Sequence, residues 1–395
     1  MAEVRKIAGR FRIFFSVLMI FAVVWYGPGP AGLGNSAQAG SVILFIGDGM
    51  GREHRKAARW KTSGVGGSLS MDDMSAHGWS VTTSADGAVT DSAAAATAMA
   101  TGAKTKNRVI GLKADLSFAP TILEAAKRRG KSAGLVTTTQ VTHATPAAFA
   151  AHVDDRDLRT VIAGQMLTAG VDVILGGGED EFLPATVNGC YPRKGKRSDG
   201  RNLVNEALAA GYAVVCDQAS FTSIAPSSTR RLLGLFADEG MTRPFSPSLS
   251  AMTRKAIAIL SKNPRGFFLM VEGGQIDWAS HANDAYHAIS DTAGLDEAVE
   301  AAKAYAAAAG DTLIVVTADH ETGGMKTTLT SSGSAEEDGP FKLPDGRHFY
   351  VNWSTNKHTG SDVPLTAQGP GAHKLKGAYE NTFIYEVMSE VLIRP

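Results

Sequence analysis

Short, nearly continuous apolar runs alternate along the chain with stretches of strong helix formers. The clearest runs are SVILFIGDG (41–49), SAGLVTTT (132–139), VDVILGGG (171–178), YAVVCD (212–217), RGFFLMVEGG (265–274) and DTLIVVTADH (311–320). Their length and β-rich composition predict strands, and their continuous apolarity predicts burial on both faces. Between them lie APTILEAAKRRGK (119–131), SPSLSAMTRKAIAILSKN (246–263) and DTAGLDEAVEAAKAYAAAAG (291–310), which read as helices. In the latter two, apolar residues recur at helical spacing. Strand, helix, strand in repetition predicts an α/β fold: a three-layer α/β/α sandwich with a large, mostly parallel central sheet. No internal repeat is visible. The stretch TSSGSAEEDGP (330–340) reads as an exposed loop inside a small insertion at about 325–357.

Composition changes this picture at one end. Arg5, Lys6, Arg10 and Arg12 precede the apolar run IFFSVLMIFAVVWY, and small residues follow at Ala37 and Ala39. That order predicts a signal peptide over residues 1–39, cut after Ala39, and so a periplasmic or secreted protein. An uncleaved membrane anchor is the alternative, for which the apolar run is short. The chain carries 39 basic and 39 acidic side chains, so no basic excess points to nucleic acid. An exported chain meets an oxidising compartment, where Cys190 and Cys216 form either a disulfide or two buried thiols. With 395 residues, 44% of them hydrophobic, the chain can bury one large α/β domain or two smaller ones.

In open parallel sheets, ligands collect at the carboxyl ends of the strands. Asp48 follows the first run, and His143 and Thr145 follow the second. Glu272, Asp277 and His281 end or follow the fifth, and Asp319 and His320 close the sixth. Singly, Asp48 could be a turn residue and Asp277/His281 an exposed pair four residues apart. Glu272 is harder to dismiss, because a charge ending FFLMV needs a partner or a metal. As a group the residues are rich in oxygen and nitrogen and contain no thiolate. That suits Zn2+ where histidines sit and Mg2+ where only oxygens do. His152, His287 and His373 lack such company and read as ordinary hydrogen-bonded histidines.

Ser92, in TDSAAAATAMATGAKT, opens an Ala-rich helix. Thr90, Asp91 or Ser92 could each cap it. A helix N-terminus also offers free N–H groups to phosphate, and a serine there could act as a nucleophile. No G-x-S-x-G elbow is present, which argues against a serine esterase.

DGMG, TDSAAAATA, THATPAAFAAHVDDR, VEGGQIDWASH, TADHETGG and HTG (358–360), in this order, resemble the signature blocks of the alkaline phosphatases. The resemblance runs from about residue 41 to the C-terminus, and it implies one catalytic domain over 40–395. It implies that Asp277, His281 and His358 hold one zinc and that Asp48, Asp319 and His320 hold a second, reached by Ser92. Asp48, Thr145 and Glu272 would hold a third metal, magnesium in the family. Arg156 would clamp phosphate, although by local sequence it is a surface arginine among Asp154, Asp155 and Asp157. Two positions depart from the best-known bacterial pattern: His143 replaces an aspartate near the third metal, and Trp278 replaces a lysine. The imidazole opens that site to Zn2+ or Co2+.

The implied activity is hydrolysis of phosphate monoesters through a covalent phosphoserine. A related metallo-phosphodiesterase or phosphotransferase, or an exported metal- or phosphate-binding protein without turnover, are the alternatives. Small phosphate monoesters are the implied partners, and the family is commonly homodimeric.

Overall fold

The computed structural model describes residues 40–393, and the expected leader lies outside them. In chain order the strands are β1 (Ser41–Gly47), β2 (Ala76–Val81), β3 (Ser132–Gln140), β4 (Val173–Gly177), β5 (Tyr212–Val215), β6 (Arg231–Leu235), β7 (Phe267–Gly273), β8 (Thr312–Ala318), β9 (Glu321–Thr322), β10 (Lys326–Thr328), β11 (Asp338–Lys342), β12 (His348–Asn352), β13 (His358–Thr359), β14 (Val363–Gln368) and β15 (Gly377–Glu380). Ten of them form one sheet, in the order β15-β2-β14-β8-β1-β7-β3-β4-β6-β5. All its pairings are parallel except those of β14, which runs against both β8 and β2.

Strand periodicity explains the two cores. Val42, Leu44 and Ile46 of β1 enter one apolar cluster, while Ile43 and Phe45 enter the other. The first cluster is closed by the helices Ser92–Thr101, Ala144–Ala150 and Thr382–Leu392, and the second by Leu249–Leu260 and Ala285–Ala309. Helices on both faces of a mostly parallel sheet make the three-layer sandwich. All six apolar runs became strands at its centre or along one arm.

The sequence reading missed β2, β6, β14 and β15. In β2, AHGWSV, buried and exposed residues alternate, so its apolar content is low. β14 carries Pro364, which cannot donate to a ladder and argues locally against a strand.

The stretch 325–357 holds more order than a loop. β10, β12 and β11 form an antiparallel sheet. Its Phe349 and Val351 pack with Leu343 and Met325 against Trp60, Ala285 and Ile289. Residues 330–336 are exposed, as expected, but 338–340 belong to β11. Cys190 and Cys216 are joined in a disulfide.

Candidate active site

The parallel strands deliver their carboxyl ends to one edge. Asp48 follows β1 directly, and Gly49 then turns the chain with φ +72°. A Cβ there would lie 2.9 Å from Asp277 Oδ1 and 2.8 Å from Thr322 Oγ1, so glycine is required twice over. Asp319 follows β8, and its Oδ1 accepts the N–H groups of Gly49 (3.1 Å) and His320 (2.9 Å). Glu272, within β7, lies in register with Ile46 on one side and Thr137 on the other. The helix Gln275–His281 follows β7 and carries Asp277 and His281 one turn apart. His358 arrives from far along the chain because β13 pairs with β9, placing it opposite Thr322.

Three groups of ligand atoms result, each with its members within 4.8 Å of one another: Asp277/His281/His358, Asp48/Asp277/His320 and Asp48/His143/Glu272. Asp319 joins the second by its own contact, with Oδ2 3.3 Å from His320 Nε2. The histidines are oriented from behind. His281 Nδ1 lies 2.7 Å from the Asn356 carbonyl and His358 Nδ1 3.0 Å from the Thr90 carbonyl. Thr322 Oγ1 donates to Asp277 Oδ1 (2.5 Å), so it is free to accept from His320 Nδ1 at 3.2 Å. Each Nδ1 therefore carries a proton, which turns Nε2 toward the cleft as the atom a metal would take, in His281 by displacing the proton shared with Asp277. His281 and His358 present these atoms to each other at 3.1 Å.

The electrostatics call for cations. Burial pushes Asp48 well above the ordinary carboxylate range, and repulsion from Asp319, Asp277 and Glu272 adds to it. Burial raises Glu272 to about 7 against the opposing hydroxyl of Thr137. It also lowers His320 to about 4, so that imidazole is neutral. Asp277 would rise by burial too, but the His281 hydrogen bond and nearby imidazoles outweigh this and hold it low. The same carboxylate draws His281 up to about 9. Both Asp48 oxygens, Asp319 Oδ2, Glu272 Oε1, Thr145 Oγ1 and His143 Nδ1 are buried with no hydrogen-bond partner among the described residues. Unpaired buried oxygens on three crowded carboxylates are costly unless divalent metals hold them, and this donor set fits such metals.

Ser92 stands beside the second group. Asp91 takes the capping role, accepting Ala94 N–H at 2.9 Å, so Ser92 is the first helical residue. Its Oγ lies 3.2 Å from His320 Nε2. Arg156 reaches the same edge. Its Nη1 donates to Asp91 (3.0 Å), and its Nη2 donates to His143 Nε2 (3.2 Å). Burial, followed by Arg156 and Arg159, lowers His143 well below the usual imidazole value. A neutral ring that accepts at Nε2 keeps its proton on Nδ1, which faces Asp48 Oδ2 at 4.0 Å. In this arrangement His143 points a donor, rather than a lone pair, at the third group. Trp278 stands edge-on to His143, with ring centroids 6.1 Å apart.

One residue important to this geometry, Thr322, carried no sequence signal of its own, while Asp91 was one of three candidate caps. Thr137 and Thr139, which donate to Glu272, could have been found. Strand period 2 places both on one side of TTTQ, at the strand's carboxyl end. His152 and His287 are ordinary, as expected, bonded to Glu124 and Asp284.

An α/β/α sandwich whose strand tips gather carboxylates, imidazoles and a helix-initiating serine is the architecture of a metal-dependent hydrolase. The model of the alkaline phosphatase family matches residues 39–343 and 341–393. Alkaline phosphatase 4 of Bacillus subtilis is 33% identical over 91% of this chain and 90% of its own length. The Escherichia coli alkaline phosphatase is 33% identical over 90% and 86%. The solved alkaline phosphatase from the Antarctic bacterium TAB5 superposes with TM-score 0.76 at 33% identity, over 89% of this chain and 97% of that one. Variants of the TAB5 enzyme with one histidine changed to aspartate or glutamate have Mg bound in a site called M3. The chain belongs to the alkaline phosphatase family and is a metal-binding phosphomonoesterase.

Proposed function

We propose that the protein hydrolyses phosphate monoesters through a covalent phosphoserine on Ser92. The observation that carries this reading is the position of that hydroxyl: first in a helix already capped by Asp91, and 3.2 Å from an imidazole between two buried carboxylates. Asp277, His281 and His358 would hold one zinc, Asp48, Asp319 and His320 a second, and Asp48, Glu272 and Thr145 a third metal. Bound there, divalent ions supply Lewis-acid stabilisation of negative charge and make a hydroxyl acidic near neutral pH. Mg is bound in TAB5 variants in which a histidine has become a carboxylate, so with His143 in place the third metal would be Mg2+, Zn2+ or Co2+. His143 would donate its Nδ1–H to a water held by that metal, or would ligate through Nδ1 once Arg156 releases Nε2 and the proton moves there.

The chain's own groups do the rest. Arg156 and the free N–H groups at the start of helix Ser92–Thr101 bind the non-bridging phosphate oxygens. Ser92 Oγ attacks phosphorus, the ester P–O bond breaks and the alcohol departs. Water then cleaves the phosphoserine, returning Ser92 and releasing phosphate. The groups assigned here all address the phosphoryl group, so a broad range of monoesters is expected. The basic and apolar residues at 1–39 support export, and a homodimer matches the family's habit.

The test is hydrolysis of an aryl phosphate by the purified enzyme. Chelation should abolish turnover until zinc is restored, and Ser92→Ala should remove it. Faster cleavage of an aryl phosphodiester than of the monoester would overturn the assignment of substrate class.

A further inference from the structure

Arg108 has one of three non-glycine residues' positive φ values among the described residues, +73°. Its N–H, carbonyl and guanidinium contact Arg156 or carboxylates close to it. Its N–H donates to Asp91 Oδ2 at 3.0 Å, the oxygen that also accepts Arg156 Nη1. Its carbonyl accepts the Arg156 N–H at 2.8 Å. Its guanidinium Nη2 donates to Asp155 Oδ1 at 2.7 Å and to Asp157 Oδ2. Asp155 and Asp157 are the two carboxylates flanking Arg156, and either could be expected to seize it. Instead Arg156 pairs with Asp91 and, among the described residues, with no other carboxylate.

We propose that Arg108 is a positioning residue for phosphate binding: it occupies Asp155 and Asp157, so that they neither capture Arg156 nor repel the phosphate dianion. This rests on the reading of Arg156 as the phosphate clamp. Arg108 touches neither the serine nor the candidate metal groups. The pairs are exposed, with Arg108 52% and Asp157 63% accessible, so each contributes modestly. The effect of losing both is accordingly a few-fold, larger at low ionic strength because salt screens the uncovered carboxylates.

Glycine adopts the left-handed conformation without strain, so Arg108→Gly removes the side chain while leaving the backbone contacts in place. In the metal-loaded enzyme, inorganic phosphate is the probe. Arg108→Gly should raise its competitive inhibition constant about 3- to 10-fold, the size expected for two exposed ion pairs. The thermal midpoint should not fall. Adding Asp155→Asn and Asp157→Asn to that variant should return the constant to within about twofold of wild type, since the offending charges are then gone. A purely structural role for Arg108 predicts no such rescue, and neither does direct contact between Arg108 and phosphate; failure of the rescue overturns the proposal. Arg156→Ala is the parallel control. If it leaves phosphate inhibition unchanged, the clamp reading falls and this proposal with it. If it weakens inhibition while Arg108→Gly does not, only the proposal falls. Should Arg108→Gly not fold, Arg108→Lys is read in the same way, with a smaller increase and the same rescue.

Discussion

Each of the three histidines His281, His320 and His358 has its Nδ1 engaged by an oxygen behind it, and this decides which nitrogen can serve the cleft. For His320 that oxygen is Thr322 Oγ1, which simultaneously donates to Asp277. Thr322→Val should therefore free both the ring tautomer and the carboxylate. The expected result is a loss of zinc affinity of about 10- to 100-fold, measured by competition with a chromogenic chelator. Unchanged affinity would show that Thr322 merely fills space. Gly49 belongs to the same scale. Gly49→Ala must strain a left-handed turn and drive a methyl into Asp277 and Thr322, so both metal occupancy and thermal stability should drop. An alanine variant with a full complement of metal would contradict the close approach described above.

Elements set how far the site could be read from sequence. The tips of β1, β7 and β8 were legible because their apolar runs end abruptly in charge, and charge at a buried strand end demands an explanation. His358 was not legible from pattern, since a two-residue ribbon, β9 with β13, places it, and no periodicity exists in so short a strand. It was named by resemblance alone. The helix cap was ambiguous for a different reason: Thr90, Asp91 and Ser92 are all good caps, and tertiary contacts chose among them. Asp91 now has two duties that substitution can separate. Asp91→Ala should lose about 0.5–2 kcal/mol of stability with the cap, along with phosphate affinity. Asp91→Asn keeps the capping oxygen but loses the acceptor for Arg156 Nη1 and Arg108 N–H, so it should cost less stability than Asp91→Ala while inhibition by phosphate weakens. Equal loss of stability in both variants would refute the division. Behind β4, the turn Glu179–Glu181 offers a pH test. Burial pushes the Glu181 carboxyl up to about 8, despite Arg159 and Lys196 nearby. A carboxyl raised on folding favours the folded state at low pH, and that advantage is lost as pH climbs from its unfolded value near 4.5 through 8. Glu181→Gln should thus gain stability relative to wild type progressively over that interval. A gain independent of pH would exclude ionisation as its cause.

At the scale of the whole molecule, the two apolar cores and the catalytic edge make opposite demands. The sheet's interior is apolar and continuous, while its carboxyl edge buries Asp48, Glu272, Asp277 and Asp319 side by side. Folding without compensating cations must oppose that repulsion. Metal removal is therefore expected to lower the thermal midpoint reversibly, since a ligand at about 100 times its Kd stabilises by about 2.7 kcal/mol. No helix among the described residues is long and apolar enough to cross a membrane. The proposed chemistry passes through a single covalent bond at that edge, between Ser92 Oγ and phosphorus. Incubation of the metal-loaded enzyme with phosphate monoester, acid quenching and peptide mass spectrometry tests it most directly. Phosphate should be found on the peptide containing Ser92 and be absent after Ser92→Ala. Undiminished turnover in that variant, or turnover in the wild type with no phosphate trapped on Ser92, would contradict the account.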